Sequence, residues 1–123
     1  MEINDLLTLK AHEEGAYIHI KKSGAKKADT DFYIKVIGPD SKEFRKQWKS
    51  LAKDLTIAKD SNEQMEKERE FLVNLTIGWK GLFEGEEEVP FTKEKCSWLY
   101  ENAPYIQDQV DNFVVNSQNF IKG

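Results

Sequence analysis

Two stretches near the N-terminus alternate apolar and polar residues with a period of two, the signature of half-buried strands. In Ala16-Tyr17-Ile18-His19-Ile20-Lys21, Ile18 and Ile20 share one face. In Asp31-Phe32-Tyr33-Ile34-Lys35-Val36-Ile37, Phe32, Ile34 and Val36 do the same. The residues between, 22–30, contain Gly24 and several lysines, which predicts a long hairpin loop rather than a tight turn. Gly38-Pro39 ends the second strand, and the period changes. Phe44, Trp48, Leu51, Leu55 and Ala58 recur at spacings of four, three, four and three, one stripe of a helix. Asp40 with Glu43 offers it a capping box, and Ser61 with Gln64 offers a second one to a helix over residues 62–77. That helix is charged in its first half. Its second half, Phe71-Leu72-Val73-Asn74-Leu75-Thr76-Ile77, is apolar nearly all round and is expected to be buried, with Gly78 as its stop.

Gly81, Gly85 and Pro90 mark residues 79–91 as an irregular loop with the acidic run 84–88 at its tip. Thr92 suits the cap of a short helix holding Cys96, Leu99 and Tyr100, with Phe91 stapled onto Cys96. Pro104 suits the first position of a last helix, which places Ile106, Val110, Phe113, Val114, Phe120 and Ile121 on one face. Residues 1–15 hold only a small apolar patch and read as a loosely ordered arm or an edge strand. The predicted fold is therefore α+β and helix dominant: a β-hairpin at residues 16–38 and about four helices over 40–121, in a single domain.

Composition agrees with a folded chain. Of 123 residues 39% are hydrophobic and 33% charged, and the three Trp, four Tyr and seven Phe exceed what disordered segments carry. A net charge of −4, with both signs interspersed, favours solubility and disfavours binding along a phosphate backbone. The lysines of the hairpin loop (Lys21, Lys22, Lys26, Lys27) lack interleaved aromatics or Arg, so nucleic acid is not the expected partner. A lone Cys96 suits a reducing cytoplasm, and neither a signal peptide nor a membrane-spanning run is evident.

Candidate chemistry is sparse. His12-Glu13-Glu14 is the nearest approach to a metal cluster, but neighbours along a chain do not converge on one ion, and an exposed polar turn is the expectation. His19 is expected on the solvent face of its strand. Cys96 lies on the apolar stripe of its helix and reads as a small buried hydrophobe. No Gly-rich phosphate loop or calcium loop is present. The expectation is a protein that is not an enzyme and uses no cofactor or metal.

Two aromatic groups point to binding instead. Trp79, Leu82 and Phe83 place large apolar side chains in a loop, either packed back on the core or held for a partner. Trp98, Tyr100 and Tyr105 surround the joint at Ala103-Pro104, where they either seal two helices or anchor a partner.

One set of landmarks goes further. Thr76-Ile77-Gly78-Trp79-Lys80-Gly81-Leu82, an acidic turn, Val89-Pro90-Phe91-Thr92, Glu101-Asn102-Ala103, and a final stretch from Gln109-Val110-Asp111-Asn112-Phe113 to Asn119-Phe120 follow one another in order. With Phe32-Tyr33-Ile34-Lys35-Val36-Ile37-Gly38-Pro39-Asp40-Ser41, they resemble small proteins encoded among the tail genes of tailed bacteriophages. The match covers roughly residues 31–121 and is similar to tail assembly chaperones. The resemblance implies binding to the phage tape-measure protein, or another tail protein, in the bacterial host cytoplasm, with homo-oligomers possible. The N-terminal hairpin departs from the helical members of that group. It motivates a second expectation, a minor tail or head protein that stays in the virion. A third is an acidic phage inhibitor of a host defence nuclease, carried by the run 84–88.

Overall fold

The alternating runs pair as the pattern predicts. In the computed structural model, which describes residues 1–26 and 30–121, β1 (Ala16–His19) lies antiparallel to β2 (Tyr33–Val36) with Ile18 opposite Ile34. Ile18, Ile34 and Val36 face inward and are buried. The chain then forms α2 (Lys42–Ile57) and α3 (Ser61–Leu75), packed side by side. It returns to the sheet as β3 (Thr76–Lys80), α4 (Lys93–Asn102) and α5 (Pro104–Val114) follow, and helices dominate an α+β fold.

β3 is a correction to the sequence reading. The apolar run does not continue as helix to Ile77, and Gly78 is not its stop. The helix ends at Leu75, and Thr76–Lys80 pairs with the free side of β2, Ile34 opposite Trp79. The pairing gives a three-stranded sheet in the order β1-β2-β3. β3 thereby pairs the side of β2 that a two-stranded hairpin would leave open. The expected loop beyond it is also partly ordered: β4 (Phe83–Glu84) and β5 (Glu87–Glu88) form a small hairpin turning at Gly85.

The caps shift by one residue from those predicted. Ser41, not Asp40, caps α2 by accepting the Phe44 N–H (3.1 Å). Asp60, not Ser61, caps α3 through the Glu63 N–H (2.8 Å). Thr92 caps α4 as expected, and Pro104 opens α5. The last helix stops at Val114 rather than running to Ile121, and a 3-10 turn at Ser117–Phe120 carries Phe120 back into the core.

The expected N-terminal arm divides in two. Residues 1–7 contribute no buried side chain, whereas Leu9–Glu14 forms helix α1. His12 on α1 is a second correction: it is fully buried, not an exposed turn. Its carbonyl accepts the Gly38 N–H (2.8 Å), its Nδ1 accepts the Asp40 N–H (2.8 Å), and its ring packs against Phe120. Asp40 is therefore free of capping duty and accepts a hydrogen bond from the Thr8 hydroxyl. That bond, with Arg45 beside it, lowers the Asp40 carboxyl below its ordinary range. A carboxyl lowered on folding stabilises the native state above that range, and the contribution is lost as pH falls through the folded value. Thr8→Val should move Asp40 back toward the ordinary range and remove this acid-dependent contribution. A carboxyl NMR titration reads it directly. An unmoved Asp40 would mean that the Thr8 bond is not what sets its ionisation.

The core closes on Tyr100. Thr76 Oγ1 donates to Leu72 O (2.8 Å) and so accepts from the Tyr100 hydroxyl (2.7 Å), deep among Leu75, Cys96 and Val110. Lys93, at the start of α4, donates to Val73 O (3.0 Å) and Thr76 O (2.6 Å), tying α4 to the junction of α3 and β3.

Candidate partner-binding surface

The six aromatic and apolar candidates do not form one site. Trp79 packs against the core: its indole N–H donates to Val89 O (2.9 Å), and its ring meets Phe32 and Phe91 edge to face at 5.9 and 5.0 Å. Phe91 thus packs against Trp79 and the core cluster that contains Cys96. Leu82 also packs on the core, while Phe83 in the next position is exposed. The loop reading therefore resolves into two inward residues and one outward.

Tyr100 is corrected outright. It is almost completely buried, and burial raises its phenol well above the usual range, so it holds the core and offers nothing to a partner. Trp98, two residues earlier, is exposed, with the Lys95 ammonium 4.1 Å from its ring centre, and Tyr105 is partly exposed. The spacing could have separated them. Cys96, Leu99 and Tyr100 lie at i, i+3 and i+4, so the stripe that buries one buries all three and turns Trp98 outward. Cys96 is buried as expected, and burial raises its thiol pKa, which keeps it protonated and unreactive.

The surface that the stripe argument missed is on α2. Phe44 and Trp48 belong to the predicted stripe, yet only Phe44 packs onto the core, edge to face with Phe71 at 5.4 Å. Trp48 touches Phe71 with one edge (5.9 Å) and remains 57% exposed. Pro39 and Val115, the latter 68% exposed just past α5, flank the same hollow of about 440 Å³. Arg45 and Lys49 stand at its rim. Arg45 is tied to Asp40 at 3.4 Å, but this ion pair is largely solvated and contributes little to stability. Asp40 lines the same hollow and offsets Arg45, and an apolar trough with an uncovered indole suits the apolar side of an amphipathic helix. Periodicity finds the stripe but cannot say how far α3 covers it.

The outer face of the sheet is satisfied within itself. His19 is not simply solvent-facing: its ring stacks on Tyr33 at 4.3 Å and 10°. The Lys80 ammonium lies 4.3 Å from the Tyr17 ring and 5.2 Å from the Tyr33 ring, and Lys35 lies 5.4 Å from Tyr17. Ring faces already occupied by one another and by ammonium groups do not serve as stacking platforms for bases. Lys21, Lys22 and Lys26 are exposed beside this face, and the predicted Lys27 lies outside the described residues. The acidic residues 84 and 86–88 are exposed on the β4–β5 hairpin, where Glu84, Glu87 and Glu88 line a shallow hollow together with Lys95, which mixes the charge. Among the described residues no group of His, Cys, Asp and Glu could hold a metal ion, and no helix is long and apolar enough to cross a membrane.

No protein-family model, no curated protein and no solved structure matches the chain.

Proposed function

We propose that the protein is a tail assembly chaperone of a tailed bacteriophage, binding the tape-measure protein and keeping it soluble until tail-tube subunits assemble around it. The observation that carries this reading is the exposed Trp48 in an apolar trough bordered by Arg45 and Lys49. A long helix whose apolar stripe would aggregate in water gains by burying that stripe in such a trough. The resemblance supports the reading from another side. Its landmarks include Trp79 and Val89, which hydrogen-bond to each other, the Thr92 cap, and the Asn119 side chain donating to Phe113 O (2.9 Å). They belong to one continuous scaffold, β3 through the C-terminal turn, which passes the trough at Val115.

Co-expression with the products of adjacent tail genes, followed by pull-down, tests the proposal. The expected result is a soluble complex with a long, helix-rich protein that is insoluble alone, and absence of this chain from purified particles. Presence in particles, with no tail partner captured, would instead support a structural virion protein.

A further inference from the structure

The sheet has two outer strands, β1 and β3. The peptide groups of β1 alternate in direction. Ile20 donates its N–H to Phe32 O (2.9 Å), so in the observed register the groups of residues 16, 18 and 20 face β2, and those of Tyr17, His19 and Lys21 face away. The Lys21 group is met from α5. The Gln109 carboxamide accepts the Lys21 N–H (2.9 Å) and donates to Lys21 O (2.9 Å), the pair of bonds a neighbouring strand would make. Among the described residues no such partner meets the outward groups of Tyr17 and His19. Two hollows of about 400 and 440 Å³ follow this edge, one walled by Asn112 and Phe113, the other by Asn119, Phe120 and Ile121.

The chain also holds a segment with nothing to pack against. Residues 1–7 are all exposed, and Ile3, Leu6 and Leu7 are 59–70% exposed although strongly apolar. The 3-10 turn at Ile3–Leu6 has no side-chain cap and is held by Asp5 N–H to Glu2 O (3.1 Å) and Leu7 N–H to Asn4 O (3.3 Å). Opening it into an extended strand sacrifices little.

We infer that residues 2–6 of a second copy of this chain add to the open edge of β1 as an antiparallel strand, each copy donating its arm to the other. Charge favours the match. The arm carries Glu2 and Asp5 and no Lys or Arg before Lys10, while the edge carries Lys21 and Lys35, against the carboxylate of Glu14 at its far end. With Ile3 opposite His19 and Asp5 opposite Tyr17, Asp5 falls on the face that holds Lys35. Leu6 then falls on the other face, toward Phe120. Five residues of strand span about 17 Å, and the edge from Gly15 to Lys21 spans about 20 Å, so the arm fits before Gln109 ends the slot. A reciprocal exchange of this kind has two-fold symmetry and closes at two copies.

The register is testable in the full chain. Leu6 and Ala16 would face each other as a non-hydrogen-bonded pair, the closer kind, within disulfide reach. Chains carrying Leu6→Cys, mixed with chains carrying Ala16→Cys and gently oxidised, should give a disulfide-linked pair that neither variant gives alone. Sedimentation equilibrium should show a dimer, and the double variant Ile3→Asp, Leu6→Asp should weaken it at least tenfold without altering the circular dichroism of the fold. A strictly monomeric wild type, an unchanged dimer in the double variant, or a cross-link formed only within single chains carrying both cysteines would each overturn the inference. The last outcome would place the arm on its own sheet.

Discussion

Gly38→Ala should lower the stability of the fold by about 3 kcal/mol, the upper part of the range for overpacking a filled interior. For a chain of this size that corresponds to a fall in Tm of about 12 °C. A β-carbon at Gly38 would lie 2.6 Å from His12 Nδ1 and 2.7 Å from Phe120 Cγ, well inside van der Waals contact. Neither ring can step aside cheaply. His12 is fixed by its own backbone bond to Gly38 and by the Asp40 N–H, and Phe120 is buried between His12 and Phe113. The added methyl therefore has to push α1 off the sheet or the C-terminal turn out of the core. Thermal unfolding followed by circular dichroism measures the loss. The cause is checked by a cycle with His12→Ala, which removes the nearest atoms. The double variant should cost clearly less than the sum of the two single ones, because the substitutions share one space. A Gly38→Ala protein melting within 2 °C of the parent would refute this packing of α1.

His12 also shows where sequence reasoning stops. The strands β1 and β2, the Thr92 cap and the Pro104 entry were legible because each depends on a few neighbouring residues: an alternation, a hydroxyl before a helix, a missing amide. His12-Glu13-Glu14 looks like a polar turn, because nothing local tells that residues 9–14 fold back onto Gly38. β3 was hidden for the same reason. Phe71 to Ile77 has the composition of a buried helix end, and only the vacant side of β2, contributed from forty residues earlier in the chain, makes an edge strand of Thr76–Lys80 the better use of it. The cap at Ser41 was missed by one position because Asp40 and Ser41 can both cap, and Thr8 decides between them by engaging Asp40. Among the candidate partner residues, Trp79 and Phe83 could not be distinguished without knowing that Val89 accepts the indole N–H. Tyr100 and Trp98 could have been, since the helical period already opposes them.

Trp48→Ala is expected to be the most damaging surface substitution for partner binding, weakening the proposed tape-measure complex by roughly 30-fold or more, the loss of about 2 kcal/mol that marks a buried aromatic anchor. The fold should notice little. Trp48 is more than half exposed and gives the core only an edge contact with Phe71, so its removal should change stability by less than about 1 kcal/mol. The separation of the two effects is the useful part. An indole this exposed gains most of its burial only when a partner closes over the trough, and truncation then removes contact area that Phe44, Pro39 and Val115 cannot replace. Arg45→Glu with Lys49→Glu should act differently, slowing association and reducing its dependence on salt, because cations at a rim steer an acidic partner more than they hold it. Titration of the purified complex by calorimetry, at two ionic strengths, distinguishes the anchor from the rim. If Trp48→Ala binds like the parent while Phe83→Ala or Trp98→Ala does not, the partner sits on the other side of the molecule, over the β4–β5 hairpin or the outer face of α4, and the trough on α2 has another use.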